Sequence, residues 1–109
     1  MINYENSLIA YKKIQDSSLN ELKILLFKAA VRYANIRAEW SFLTLEERKE
    51  QDEERTAAHN RFIDACNILA RNMRKADEDS SWAELISKDR KEIGDFACYL
   101  HTFLGIKNR

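Results

Sequence analysis

Apolar side chains recur along this chain at the three-to-four-residue rhythm of helices, and no useful stretch alternates with the period of two that a strand needs. Tyr4, Leu8, Tyr11 and Ile14 form one stripe and predict a first helix over about 4–15. Asp16-Ser17-Ser18 interrupts it, because short polar side chains compete there for backbone hydrogen bonds. Ser18 with Glu21 has the spacing of a capping box and opens a second helix over about 19–42. Leu22, Leu25, Leu26, Ala29, Ala30, Tyr33, Ile36 and Trp40 make its expected inner face. Ile24, Phe27 and Val31 widen that stripe beyond the reach of one neighbour, which predicts contacts with two other helices.

Thr44 with Glu47 is a second capping box and starts a third helix over about 45–76. Its opening turns, Glu46 to Thr56, hold no apolar residue, whereas Ala58, Phe62, Ala65, Cys66, Leu69 and Met73 mark an ordinary core face. Helix propensity favours a solvated helical arm over a frayed connection for Glu46–Arg55. Asp77-Glu78-Asp79-Ser80-Ser81 is a polar connection, and Ser81 with Glu84 reads as a third capping box. The last helix is expected over about 82–104, with a break near 87–89 as the variant to look for. Ile86, Ile93, Phe96, Ala97, Leu100, Phe103 and Leu104 form its stripe, and Gly105 stands where a left-handed C-cap belongs. The expected fold is all-α: one domain across 1–109, an antiparallel bundle of three long helices plus a shorter N-terminal helix.

Composition narrows the class. The 109 residues are 45% hydrophobic, too apolar for a disordered chain, and contain two glycines and no proline. Apolar runs of four or five residues fall far short of the roughly 20 that span a membrane. Eighteen basic residues balance 18 acidic ones, which weakens any reading built on nucleic acid or anionic lipid. Two cysteines and an N-terminus without the pattern of a secretory signal point to free thiols and a cytoplasmic location.

Little catalytic chemistry is in view. His59, Cys66, Cys98 and His101 are the only histidines and cysteines, and as two face-sharing pairs on facing helices they could supply a Cys₂His₂ zinc site. The closely spaced cysteine pair of zinc ribbons is missing, and buried thiols with partly exposed imidazoles are the expectation, with no metal and no cofactor. The residues three before the histidines are Thr56 and Cys98, so the Glu-x-x-His of di-iron bundles is absent. Asp95, Cys98 and His101 share one side of a helix, with no oxyanion hole nearby. No phosphate-binding loop and no H-E-x-x-H occur, so no enzyme and no catalytic residue are expected. Arg71, Arg74 and Lys75, with Lys88, Arg90, Lys91, Lys107 and Arg109 as neighbours, form a basic end that makes weak nucleic-acid binding a lesser alternative. Asp77, Glu78 and Asp79 oppose it, and basic side chains also complement a helix C-terminus.

The strongest functional signal is apolar. Trp40, Phe42, Leu43 and Leu45 cluster at the second turn, and the charged stretch after them has no apolar groups to cover them. Such a patch marks a protein–protein contact, either a homodimer or an unidentified protein partner, with Trp40 and Phe42 as its anchors. Gly94, in mid-helix, would permit close approach of another helix across Ile93 and Ala97.

Two segments resemble a family of small uncharacterised bacterial proteins: His59-Asn60-Arg61-Phe62-Ile63-Asp64-Ala65-Cys66-Asn67-Ile68-Leu69-Ala70-Arg71-Asn72-Met73 and Asp89-Arg90-Lys91-Glu92-Ile93-Gly94-Asp95-Phe96-Ala97-Cys98-Tyr99-Leu100-His101. The resemblance covers the C-terminal half and implies a bacterial, cytosolic, helical protein of unassigned activity. It draws notice to Asn60, Asp64, Asn67 and Arg71, one continuous polar stripe on a helix. Facing Arg90 and Asp95, that stripe is expected to form an interhelical polar network, with a partner-binding groove as the alternative.

Overall fold

A computed structural model describes residues 3–88 and 90–107, the side chains at 85, 87, 90 and 105–107 excepted. The chain is all-α: α1 (Tyr4–Lys12), a 3₁₀ turn (Ser17–Leu19), α2 (Asn20–Trp40), α3 (Leu45–Lys75), α4 (Ser81–Ser87) and α5 (Arg90–Lys107). No strand occurs among the described residues. The last expected helix is therefore two, parted at a turn on Lys88. α5 also continues through Lys107, so Gly105 is a helical residue and not a C-cap.

Only one of the three expected capping boxes forms. Thr44 accepts from the Glu47 amide, and the Glu47 carboxylate accepts from the Thr44 amide at 2.9 Å, which holds that carboxylate below its ordinary pKa. At the other two sites an aspartate two residues upstream takes the amide instead. Asp16 accepts from both the Ser18 amide (2.9 Å) and its hydroxyl (2.7 Å), which engages Ser18 in the 3₁₀ turn and leaves α2 starting without a side-chain cap. Asp79 accepts from the Ser81 amide at 3.0 Å, and Glu84 turns to Ser80 Oγ at 3.2 Å and to Arg74. At both sites the amide that a box would offer to the downstream glutamate is already held by the nearer aspartate carboxylate.

α2 is the central element and runs antiparallel to two neighbours. Against α3, Trp40 meets Arg48 and Arg32 meets Glu54. Against α5, Arg37 pairs with Asp95 at 2.8 Å, and Leu104 lies beside Lys23, Ile24 and Phe27. α4 folds back on the end of α3, and α1 closes over α4 and α5 through Tyr11 on Trp82 and Tyr4 on Phe96, with the Tyr4 hydroxyl donating to Glu92. The buried centre is continuous from Leu8 to Leu100, with Phe62, Phe96, Leu26, Leu69, Ile86 and Ile93 sealed from water. Phe103 departs from its expected place in this core and stands half exposed against Tyr99.

The charged arm is helical, as propensity suggested, yet it is not fully solvated. Arg48 and Arg55 lie over the Trp40 ring at 5.9 and 4.6 Å, and Arg48 Nε donates to the Trp40 carbonyl at 3.0 Å. Arginine stems thus supply the apolar cover that the arm's composition lacks.

Gly94 is where α5 touches α2. A methyl group there would sit 3.0 Å from Arg37 Nη1 and 3.2 Å from the buried Tyr33 ring, so the glycine allows the close approach its position suggested. Gly94→Val is expected to destabilise the fold by about 1–3 kcal/mol through overpacking, read from the urea midpoint. An unchanged midpoint would mean that Tyr33 yields freely.

Candidate interaction surface

The short turn between α2 and α3 projects two large apolar side chains. Glu39 and Trp40 carbonyls accept from the Phe42 and Leu43 amides at 3.0 and 3.2 Å, and the Thr44–Glu47 box then redirects the chain into α3. That geometry leaves Phe42 88% and Leu45 76% exposed, whereas Trp40 and Leu43 are half-buried. Of the four residues singled out at this corner, two therefore face outward, and Trp40 is a structural element under two arginines.

A second apolar feature lies nearer the other end of the same hairpin. Leu22, Leu25 and Ala29 of α2 and Ala65 and Ile68 of α3 floor an open groove of about 370 Å³. Leu25, expected inside, is 57% exposed, and Ile68 is 41% exposed. α3 and α5 close over Leu26, Ala30 and Tyr33, and the α2 stripe is wider than both together can cover. Lys28, Arg32 and Arg61 border the groove on its upper side, and Asp64 lies at its rim. A shallower groove adjoins it, shares Lys28 and Arg32, and adds Asn35, Ile36, Glu39 and Glu54. Sequence periodicity missed this site because it reports that a residue is apolar, not which side of a broad stripe a neighbour will cover.

The polar stripe does not form the expected network. Asn60, Asp64, Asn67 and Arg71 are all exposed on α3, and Asp95 pairs with Arg37 of α2 instead. The Arg90 side chain lies outside the described residues. Burial opposes the Arg37 charge, but Asp95, with Cys98 and Tyr33, outweighs it and raises its pKa.

The histidine and cysteine set is likewise dispersed. His59 is buried edge-on to Tyr33 at 5.1 Å between ring centroids, and Cys66 is sealed in the core. Cys98 rests 4.0 Å from Arg37 Nη1, and His101 is half-buried on α5. Among the described residues no group of three or more His, Cys, Asp or Glu could hold a metal ion, so the zinc alternative loses its ligand set. Burial pushes the Cys66 thiol up to about 12, which keeps it neutral and unreactive. Asp95 is engaged by Arg37 and does not orient His101 for any Cys98 chemistry. At the basic end, Arg74 is paired with Glu84, which removes part of the charge a phosphate backbone would need. Lys107 lacks a described side chain and Arg109 lies outside the described residues.

No described helix is long and apolar enough to cross a membrane. Comparison of the chain with protein-family models, with curated proteins and with solved structures found no match.

Proposed function

We propose that this chain is a non-enzymatic protein–protein interaction module that binds through the face of its α2–α3 hairpin. The observation that carries this reading is the water-exposed groove floored by Leu22, Leu25, Ala29, Ala65 and Ile68. A single exposed leucine is ordinary, but a contiguous apolar trough with a charged border has the make-up of an interface centre and rim. Phe42, in the turn at the hairpin tip, adds a further exposed apolar side chain. The free thiols of Cys66 and Cys98 fit a reducing compartment, and we place the protein in the cytoplasm on that ground.

The test is a photo-crosslinking amino acid, benzoylphenylalanine, installed at Leu25 in the producing cell, with a control at the exposed Thr102 of α5. Position 25 is expected to yield one or a few discrete polypeptide adducts that position 102 does not. No adduct at 25, or the same adducts from both positions, would end the proposal.

A further inference from the structure

From base to tip the hairpin face is ordered by chemistry. Leu25 and Ile68 are the apolar base, Lys28 and Arg61 are basic, Glu39 and Glu50 are acidic, and Phe42 in the turn is the apolar tip. We infer that this face binds the same face of a second copy, antiparallel, as a two-fold dimer. The inference rests on the interaction reading above and names its partner.

An isologous interface must be self-complementary, and this face is. Turning one copy end over end about an axis across the helices brings base to tip. A register that sets Leu25 against Phe42 of the second copy also sets Lys28 against Glu39 and Arg32 against Asn35. Lys28 and Glu39 are eleven residues apart, about three helical turns, and so share one side of α2. At the matching level of α3, Arg61 meets Glu50, which is again eleven residues from it and one turn before the groove residue Glu54. Lys28, Glu39, Glu50 and Arg61 are all exposed, and none has an ion-pair partner among the described residues. Packed parallel, the same faces would juxtapose like charges, the basic level against the basic and the acidic against the acidic.

The area suffices. From Leu22 to Phe42 the face is about 30 Å long and two helices, about 20 Å, wide. That gives roughly 600 Å² on each copy, at the lower bound of the 1,200–2,000 Å² total typical of specific interfaces.

Sedimentation equilibrium on three samples tests the pairing: Lys28→Glu, Glu39→Lys, and an equimolar mixture of the two. Both positions are solvent-exposed, so each variant is expected to keep the helical circular dichroism of the parent chain. In either homodimer two like-charge pairs replace two attractive ones, and dimerisation should weaken on the order of tenfold. In the mixture, the Lys28→Glu copy carries carboxylates at both positions and the Glu39→Lys copy carries ammonium groups at both. Each cross-copy pair is then attractive again, so the heterodimer should recover the parent affinity. The inference falls if the parent chain stays monomeric even at roughly 1 mM. It also falls if the mixture dimerises no better than its components. A monomer whose position 25 still crosslinks to a different polypeptide defeats the dimer and leaves the interaction module standing; a monomer without adducts defeats both.

Discussion

Phe96→Ala is expected to cost about 3–5 kcal/mol of folding stability, a large share of the 5–15 kcal/mol typical of a whole domain. Phe96 is fully buried, and its ring lies 6.1 Å from Tyr4, 6.4 Å from Phe62 and 6.0 Å from Trp82, centroid to centroid. It is thus the point at which α1, α3, α4 and α5 meet. Truncation removes the transfer energy of the ring and leaves a cavity among residues from four elements, which cannot all move inward together. The drop should appear as a lower urea midpoint with an unchanged slope, in dilute protein. Phe42→Ala is the internal comparison: the same chemistry at an 88% exposed site should stay within about 0.5 kcal/mol. A loss below about 1 kcal/mol at Phe96 would mean that this junction is not the packing centre.

The second large effect is alkaline. The Cys66 thiol is raised by burial from 9.0 to about 12. Tyr11 is raised by burial from 10.0 to about 12, and its hydroxyl donates to the Lys23 carbonyl at 2.7 Å. Both groups remain protonated in the fold after the unfolded chain has begun to lose those protons. Unfolding then releases protons, so stability is intact below about pH 9 and falls as the pH rises from there towards 12. For Cys66 alone the slope is on the order of 1.4 kcal/mol per pH unit once the unfolded thiol has ionised. Tyr11 adds to the loss above pH 10 in the same direction. Urea midpoints collected between pH 8 and pH 11 should therefore decline, and Cys66→Ala should flatten the decline after an offset for the lost packing. Parallel slopes for the two proteins would show that Cys66 ionises as readily folded as unfolded.

Where sequence and structure agree, the deciding interactions are local. The Thr44–Glu47 box was legible because both partners lie within one turn and nothing nearby competes. The same spacing misled at Ser18 and Ser81 because Asp16 and Asp79 offer a carboxylate two residues away to the same amides, and a box read by spacing alone does not weigh them. The α4–α5 break was foreshadowed by the interruption of the apolar stripe near Ser87. The site was less legible. Phe42 and Leu45 could be placed at a tip from the turn signals alone, but Leu25 needed the positions of α3 and α5. Trp40 shows the converse: its partners are arginines, and no apolar pattern marks an arginine as packing material. The polar stripe failed because it faces water on α3, and the metal set because His59 packs on Tyr33 and Cys98 lies beside Arg37.

The four-residue turn between α2 and α3 carries a consequence for the order of folding. Two long helices joined by so short a connection close with little loop entropy, and their contacts are local in sequence. The docking of α1 on α5, through Tyr4 with Glu92 and Phe96, joins residues nearly the whole chain apart. The hairpin is therefore the natural nucleus, with α1 settling late as a clasp. Changes in the hairpin core would then govern how fast the chain folds, and changes in the clasp how long it stays folded.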